Sequence, residues 1–349
     1  MTFRHGAALR RPLAALVGEL REGDELIVVD NASGDATPDV AAEVAPAARV
    51  LRNAENAGFP AACNVGAATA SGDLLVFLNP DAAVAPGWRE AIARPLDDRL
   101  GWAAWQALVS AEEGRVVNTR GGVVHFTGIA WAGGAGEPLG QPARRTSSSP
   151  SAPQTRTSAD PASAPGFVSG ACLAIPRAEF ERLGGFAGDF FLYHEDVDLS
   201  LRVKLAGGTL GVAADALVDH DYDFDKGPAK WRYLERNRWA TLIRTFPASL
   251  LLLLAPALLA TELAVTASAM ANGWLGQKVR AKLDVLGALP RLWRERREIQ
   301  ASREVSAGEF ASAFTAELDS PHLGAASRSR VLGALLRGYW RVVLRLLGA

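Results

Sequence analysis

Two runs of consecutive apolar residues, Leu26-Ile27-Val28-Val29 and Leu74-Leu75-Val76-Phe77-Leu78, each stop abruptly at a polar cluster. The first ends in Asp30-Asn31-Ala32-Ser33-Gly34-Asp35 and the second in Asn79-Pro80-Asp81. A strand that is apolar on both faces must be covered on both, which points to a largely parallel sheet between layers of helix. Between the two runs the pattern predicts a helix around Pro38–Val44, a strand at Arg49–Leu51, a loop at Asn53–Gly58 and a small-residue helix across Ala61–Ala70. This alternation is that of a doubly wound α/β sheet, with polar loops at the carboxyl ends of its strands, where such folds bind ligands. Met1-Thr2-Phe3-Arg4-His5-Gly6 leads almost directly into the helical Leu9–Leu20, so a first strand is expected to be reduced or replaced.

The 349 residues, 49% hydrophobic and 21% charged, suffice for one sizeable domain plus an appendage and exclude wholesale disorder. Lys and Arg number 37 against 38 Asp and Glu, so a net charge of −1 gives no global electrostatic case for nucleic acid. Cys63 and Cys172 lie far apart with no ligand-like spacing; buried, reduced thiols are expected rather than a disulfide or metal site. Met1–Arg11 carries charges and no apolar core, so no secretory leader is expected there.

Gly136–Ala164 is rich in Pro, Ser, Ala and Arg and is expected to be a flexible surface insertion. A strand follows at Phe167–Ile175. His194-Glu195-Asp196-Val197-Asp198 opens a helix over Leu199–Ala206, its carboxylates in the turn where the helix dipole favours negative charge. Strands near Leu210–Val212 and Ala216–Val218 lead to Asp219-His220-Asp221. After Pro247 the character changes. Ala248–Ala271 is apolar except for Glu262 and is about as long as a bilayer crossing requires. Glu262 near its middle would cost about 2.5–3.5 kcal/mol on insertion, so spanning competes with lying in the interface or packing on the protein. At the C-terminus Arg330, Arg337, Arg341 and Arg345 recur opposite Leu332, Leu335, Leu336, Val343 and Leu347, an amphipathic basic helix suited to an anionic membrane or to a solvated surface.

Several of these residues can carry chemistry, each with a plainer alternative. Asp30 can accept hydrogen bonds from a base or ribose, or simply form a turn. Asp81, with an oxygen from Asn79, suits a hard divalent cation bridging phosphates, although Asn-Pro-Asp is also a common turn. Glu195-Asp196 supplies a general base and an orienting partner, or two caps on a surface helix. The helix dipole and any nearby metal are expected to keep the pair ionised. His220 is structural or, beside a cation, a nitrogen ligand.

Taken in order, these segments resemble family 2 glycosyltransferases of the GT-A fold, a Rossmann-like, doubly wound mixed sheet, and in particular their rhamnosyltransferase-like branch. The resemblance rests on Val28-Val29-Asp30-Asn31-Ala32-Ser33, Asn56-Ala57-Gly58-Phe59 with Asn64, Phe77-Leu78-Asn79-Pro80-Asp81, Ser169-Gly170-Ala171, Gly184-Gly185-Phe186, Phe191 to Arg202, and His220. It implies a GT-A domain over 1–247, interrupted at 136–164, and a helical, membrane-associating region over 248–349. It implies donor contacts from Thr2, Asp30, Asn31, Asn56, Gly58, Asn64, Asn79 and Arg238, and acceptor contacts from Gly170 and Trp239. It implies a Mg2+ or Mn2+ ion held by Asp81 and His220, and Asp196 as general base with Glu195 as partner or alternative. Asn79 stands where the family's metal motif has its first carboxylate, and Glu235-Arg236-Asn237-Arg238-Trp239 stands where processive relatives carry Gln-x-x-Arg-Trp. The implied reaction is transfer of a sugar, such as rhamnose, with inversion, from a nucleotide-diphosphate donor to a glycan or lipid-linked acceptor in cell-envelope polysaccharide synthesis. The expected place is the cytoplasmic face of the cell membrane, the chain being peripheral or crossing once at 248–271. Two other readings compete: an inactive, membrane-attached nucleotide- or glycan-binding relative, and a nucleotidyltransferase, for which the Glu-Asp helix start has no use.

Overall fold

The computed structural model describes residues 1–140, 164–221, 227–320 and 325–349; most of the expected insertion at 136–164 lies outside them. The chain forms two compact units. The first comprises Met1–Gly122, Ala132–Asp189 and Thr209–Tyr222; the second comprises Val123–Trp131, Phe190–Gly208 and Asp223–Ala349. The expected boundary at residue 247 therefore falls inside the second unit.

The first unit follows the expected alternation. A 3-10 turn at Gly6–Leu9 runs into α1 (Arg10–Glu19), then β1 (Ile27–Asp30), α2 (Thr37–Val44), β2 (Arg49–Arg52), α3 (Phe59–Ala67), β3 (Leu74–Leu78), β4 (Ala83–Val84) and α4 (Trp88–Asp97). The longer strand β5 (Trp102–Ala111) and β6 (Val116–Thr119) precede a hairpin of β7 (Gly122–Val124) and β8 (Ala130–Ala132), where the chain passes into the second unit and back. After it come β9 (Cys172–Pro176), α5 (Arg177–Arg182) and, following the second unit's α6 (Glu195–Leu205), β10 (Thr209–Asp219). The main sheet has the order β3-β9-β5-β10-β4, with β6 on β5. β9 is antiparallel to both β3 and β5 while β10 is parallel to β5, so β3, β5 and β10 point the same way and end at one edge. The two strands expected at Leu210–Val212 and Ala216–Val218 are one strand with a register slip against β5 between Ala213 and Leu217, a bulge that keeps both halves paired. Small and aromatic residues fill its core: Ala107, Cys172, Ala174 and Ala216 under Trp88 and Trp105. Both cysteines are free and buried.

β1 pairs with β2 in a separate parallel ladder. Along its other edge it carries the parallel bridge Thr2↔Asp30, in which the Thr2 amide donates to the Val29 carbonyl and the Asn31 amide to the Thr2 carbonyl, at 2.8 and 2.9 Å. Between β1 and β3 lies a cavity of about 460 Å3 whose walls include Val28, Cys63, Leu75, Phe77 and Ile92. Its rim reaches Thr2 and Asn79, but its walls are apolar strand and helix; it is a gap in the strand ladder, not a nucleotide pocket.

The second unit is helical: α6, α7 (Ala229–Thr245), α8 (Ala248–Ala271), α9 (Leu275–Ala301), α10 (Ala307–Ser312), α11 (Ala325–Arg328) and α12 (Arg330–Leu347). α7 packs along α9. Phe246, Phe310 and Phe314 form a fully ringed cluster with centroids 4.9–5.8 Å apart, and Phe126 stacks on Trp340 at 4.9 Å. Several buried charges here are paired, which offsets their desolvation. Asp198, fully buried, accepts from Arg202 and from Arg244, each at 2.8 Å. α8 is long and apolar enough to cross a membrane by length and composition.

Candidate active site

In the first unit the functional candidates gather at the edge where β3 and β10 end. β4 turns back immediately after Asp81 and pairs antiparallel with the end of β10, Ala83 opposite Asp219. This register brings Asp81 to His220: Oδ1 lies 3.1 Å from Nε2, and Asn79 Nδ2 lies 3.4 Å from the same nitrogen. Burial alone would raise the Asp81 carboxyl, but the hydrogen bond and charge of His220 outweigh it and hold it below the usual range. His220 itself is buried and its backbone is fixed from both sides, its amide donating to Ser110 O and its carbonyl accepting from Asn118 Nδ2. The flanking aspartates serve the scaffold. Asp219 accepts from the Ser110 hydroxyl and the Gly114 amide, and Asp221 from the Glu112 amide.

Gly170 precedes Ala171, a backbone partner of Asn79. The Asn79 amide donates to Ala171 O at 3.0 Å, and Gln106, buried in mid-β5, accepts from the Ser169 amide at 2.9 Å. Gln106, Ser110 and Asn118 carried no motif in the sequence. Polar residues inside a central strand were the one available signal.

The nucleotide-side candidates are arranged differently from one another. Asp30 is buried and accepts from the Ser33 amide at 3.3 Å. Asn31, fully buried, is a hub for the Asn53–Gly58 loop: it donates to Asn56 Oδ1 and Gly58 O and accepts from Asn53 Nδ2 and the Ala57 amide. Asn56 in turn accepts from the Gly58 amide, where φ is +85°. Asn64 uses both ends of its amide on the backbone of Phe186, at 2.9 Å each. Asn31 and Asn64 therefore shape the loops, and Asp30 and the backbone of Asn56–Gly58 are what those loops present. Thr2 anchors the chain start on β1, its hydroxyl 3.1 Å from His5 Nδ1.

The remaining candidates belong to the second unit. Phe191, Tyr193 and His194 all have positive φ, from 61° to 71°, a run of left-handed, non-glycine residues that costs free energy and marks functional turns. Asn237 holds that turn closed: its Nδ2 donates to the carbonyls of Phe190, Leu192 and Tyr193 at 2.7–2.9 Å. The turn delivers Glu195 and Asp196 to the first turn of α6. Their environments differ. Glu195 is buried, and Oε2 has no hydrogen-bond partner among the described residues. Burial and the neighbouring Asp196 charge push its carboxyl up to about 8. Burial thus works against the ionised form of Glu195 that the helix dipole favours. Asp196 is half-buried and accepts from the Val197 amide at 2.8 Å. His194 is held neutral, lowered to about 4 by burial and by the charge of Arg238.

Arg238 and Trp239 are engaged inside the unit. Arg238 is buried, donating to Glu235 at 2.9 Å and to Thr127 O at 3.1 Å. Burial would raise Glu235, yet Arg238 and Lys278 bring it down to about 2. Trp239 donates to Glu262 at 3.2 Å, with Lys282 4.0 Å above its ring.

No group of three or more His, Cys, Asp or Glu among the described residues is arranged to hold a metal. The Asp81–His220 pair nonetheless fits a cation that takes most of its oxygens from a diphosphate and only one or two ligands from protein.

A model of the family described as glycosyl transferase family 2 matches residues 1–124. An N-acetylglucosaminyl-diphospho-decaprenol L-rhamnosyltransferase from Mycobacterium tuberculosis is 30% identical over 266 residues, 70% of this chain and 81% of that protein. Among solved structures, GalNAc-T7 with UDP, GalNAc and Mn2+ is similar with a TM-score of 0.50 at 17% identity, over 66% of this chain and 44% of that one. S. aureus TarS is similar with a TM-score of 0.50 at 15% identity, over 98% of this chain and 52% of that one. The chain spans less than two thirds of either structure, and the likeness to both is one of fold.

Proposed function

Because the chain belongs to glycosyltransferase family 2 and has the GT-A fold, we propose that it transfers rhamnose, with inversion, from a nucleoside-diphosphate donor to a lipid-linked glycan acceptor. The rhamnosyl and lipid-linked parts of this reading are supported by the mycobacterial relative, whose name specifies both. The observation that carries it in this chain is the convergence of Asn79, Asp81 and His220 at one strand edge. These three would hold Mg2+ or Mn2+, as GalNAc-T7 was solved with Mn2+. Once bound, the cation would neutralise charge on the departing diphosphate. Asp30 and the Asn56–Gly58 backbone take the nucleoside, with Thr2, Asn31 and Asn64 keeping those loops in shape. Gly170, without a side chain, leaves room beside Asn79.

Asp196 is the general base. Burial and the neighbouring carboxylate disfavour charge on Glu195, and the less buried Asp196 takes the acceptor hydroxyl proton as the oxygen attacks the anomeric carbon. Arg238 and Trp239 act through the packing of α7 on the turn that presents the pair. The site of action is the cytoplasmic membrane face, with 248–349 as the attached part. Nucleoside diphosphate release from a panel of dTDP- and UDP-sugars tests the reading. Asp196→Asn is expected to lower transfer by about 10²–10⁴-fold without weakening donor binding. Equal rates in both proteins would remove Asp196 from the reaction, and no turnover of any donor by the unaltered protein would remove the function.

A further inference from the structure

The second unit carries a surface that the transfer reaction does not use. α8 buries Leu250, Leu254 and Leu258, one helical face, and leaves Leu252, Leu259 and Leu263 63–76% exposed at i, i+7 and i+11. α9 leaves Leu283, Leu286 and Trp293 bare on one stripe, each more than half exposed. α12 leaves Leu335, Val342 and Leu346 bare in the same manner. Large side chains exposed in continuous rows mark an interaction surface. The three helices are tied together: Glu262 of α8 pairs with Lys278 and Lys282 of α9 at 2.8 and 2.9 Å, and Tyr339 of α12 donates to Leu253 O of α8 at 2.5 Å.

Beside Trp293, where α9 ends and α8 begins, a cleft of about 330 Å3 is lined by Arg296, Arg297 and Arg303 with Ser249 and Gln300. Arg296 is buried and donates to the carbonyls of Ile243 and Phe246. Arg297 and Arg303 are exposed and have no carboxylate within ion-pair distance among the described residues. Burial and the charge of Arg303 both lower the Arg296 pKa, so an anion in the cleft would relieve repulsion already present. On α12, Arg341 and Arg345 stand exposed among the apolar rows.

We propose that α8, α9 and α12 seat the protein on an anionic bilayer, apolar rows in the acyl boundary and a lipid phosphate in the arginine cleft, with α8 lying along the surface. Charge complementarity selects the occupant, because apolar rows bordered by unpaired arginines, with a tryptophan at the lip, match the chemistry of a headgroup boundary. The orientation of α8 follows from Glu262. It sits near the helix centre and is tied to Lys278, Lys282 and, through Trp239, to α7, so a transmembrane α8 would carry these charges into the hydrocarbon.

This refines the membrane attachment proposed above, and its test is independent of sugar transfer. The whole protein is sedimented with vesicles of phosphatidylcholine alone or mixed with phosphatidylglycerol, and donor turnover is followed in parallel. Binding to the anionic vesicles is expected. The pair Arg297→Glu with Arg303→Glu should weaken it by at least about tenfold, with Lys at both positions retaining most of it. Leu259→Glu with Leu263→Glu should weaken binding to either vesicle, and donor turnover in the absence of lipid should be unchanged throughout. Three results would overturn the proposal: no vesicle binding by the unaltered protein, unaltered anionic binding in the Arg-to-Glu pair, or displacement by inorganic phosphate at low millimolar concentration, which would assign the cleft to a free anion. Retention in membranes after alkaline carbonate extraction would overturn the lying orientation. Vesicle binding without turnover of any donor would leave this inference standing and fell the transferase reading.

Discussion

At Glu195, burial and the charge of Asp196 both favour the neutral carboxyl, and its pKa rises from 4.5 to about 8. The folded state therefore holds a proton that the unfolded chain releases between those values. Stability from this group is complete below about pH 4.5 and falls as the pH climbs to about 8, beyond which it changes no further. Glu195→Gln removes the titration. Its stability relative to the parent is expected to improve from pH 5 to pH 9 by on the order of 2–4 kcal/mol, read from urea melts at several pH values; parallel profiles would mean that Glu195 is charged. Asp81 gives the complementary case, since Asp81→Ala is expected to raise the Mn2+ concentration for half-maximal transfer by about tenfold or more, with little loss of stability because the residue is 45% exposed. Residue types were visible in the sequence, but their partners were not. Asn31 and Asn64 have the same amide chemistry whether they bind a base or a backbone, and only the positions of Asn53–Gly58 and Phe186 decide between the two.

The elements that deliver these groups depend on few contacts. The turn before α6 has three left-handed residues and is held by Asn237, which donates to the Phe190, Leu192 and Tyr193 carbonyls, and by Arg236, which donates to Phe190 O. Asn237→Ala is expected to cost about 2–3 kcal/mol and to lower kcat more than donor affinity, which steady-state kinetics alongside thermal melts would resolve. In the first unit, a Cβ at Gly185 would meet Asn64 Oδ1 at 2.8 Å in a backbone with φ of +71°. Gly185→Ala is accordingly expected to cost about 1–3 kcal/mol, measurable as a lowered urea midpoint. Strands β1 and β3 and helix α8 were legible because each is a continuous apolar run with sharp polar ends. β5 was not, since Gln106 and Ser110 interrupt its pattern to make hydrogen bonds that exist only after folding. The slip in β10 makes one strand look like two in the sequence for a similar reason: a bulge breaks periodicity without breaking the ladder.

At the scale of the whole chain, the α/β alternation and the change of character after Pro247 could be read directly, because both are averages over many residues. The division into units could not. α6 lies between two strands of the first unit in sequence and belongs to the second by its packing, which its buried Asp198–Arg244 pair secures. One feature of the first unit reaches beyond catalysis. Among the described residues the sheet is interrupted between β1 and β3, and Val, Leu and Phe residues of those strands line the opening. Strand margins at such an opening are templates for the wrong partner. Warmed or concentrated protein is expected to associate through them, seen as rising light scattering and amide I bands of intermolecular β-structure, and Leu74→Lys, a charge in the lining of the opening, is expected to delay that onset.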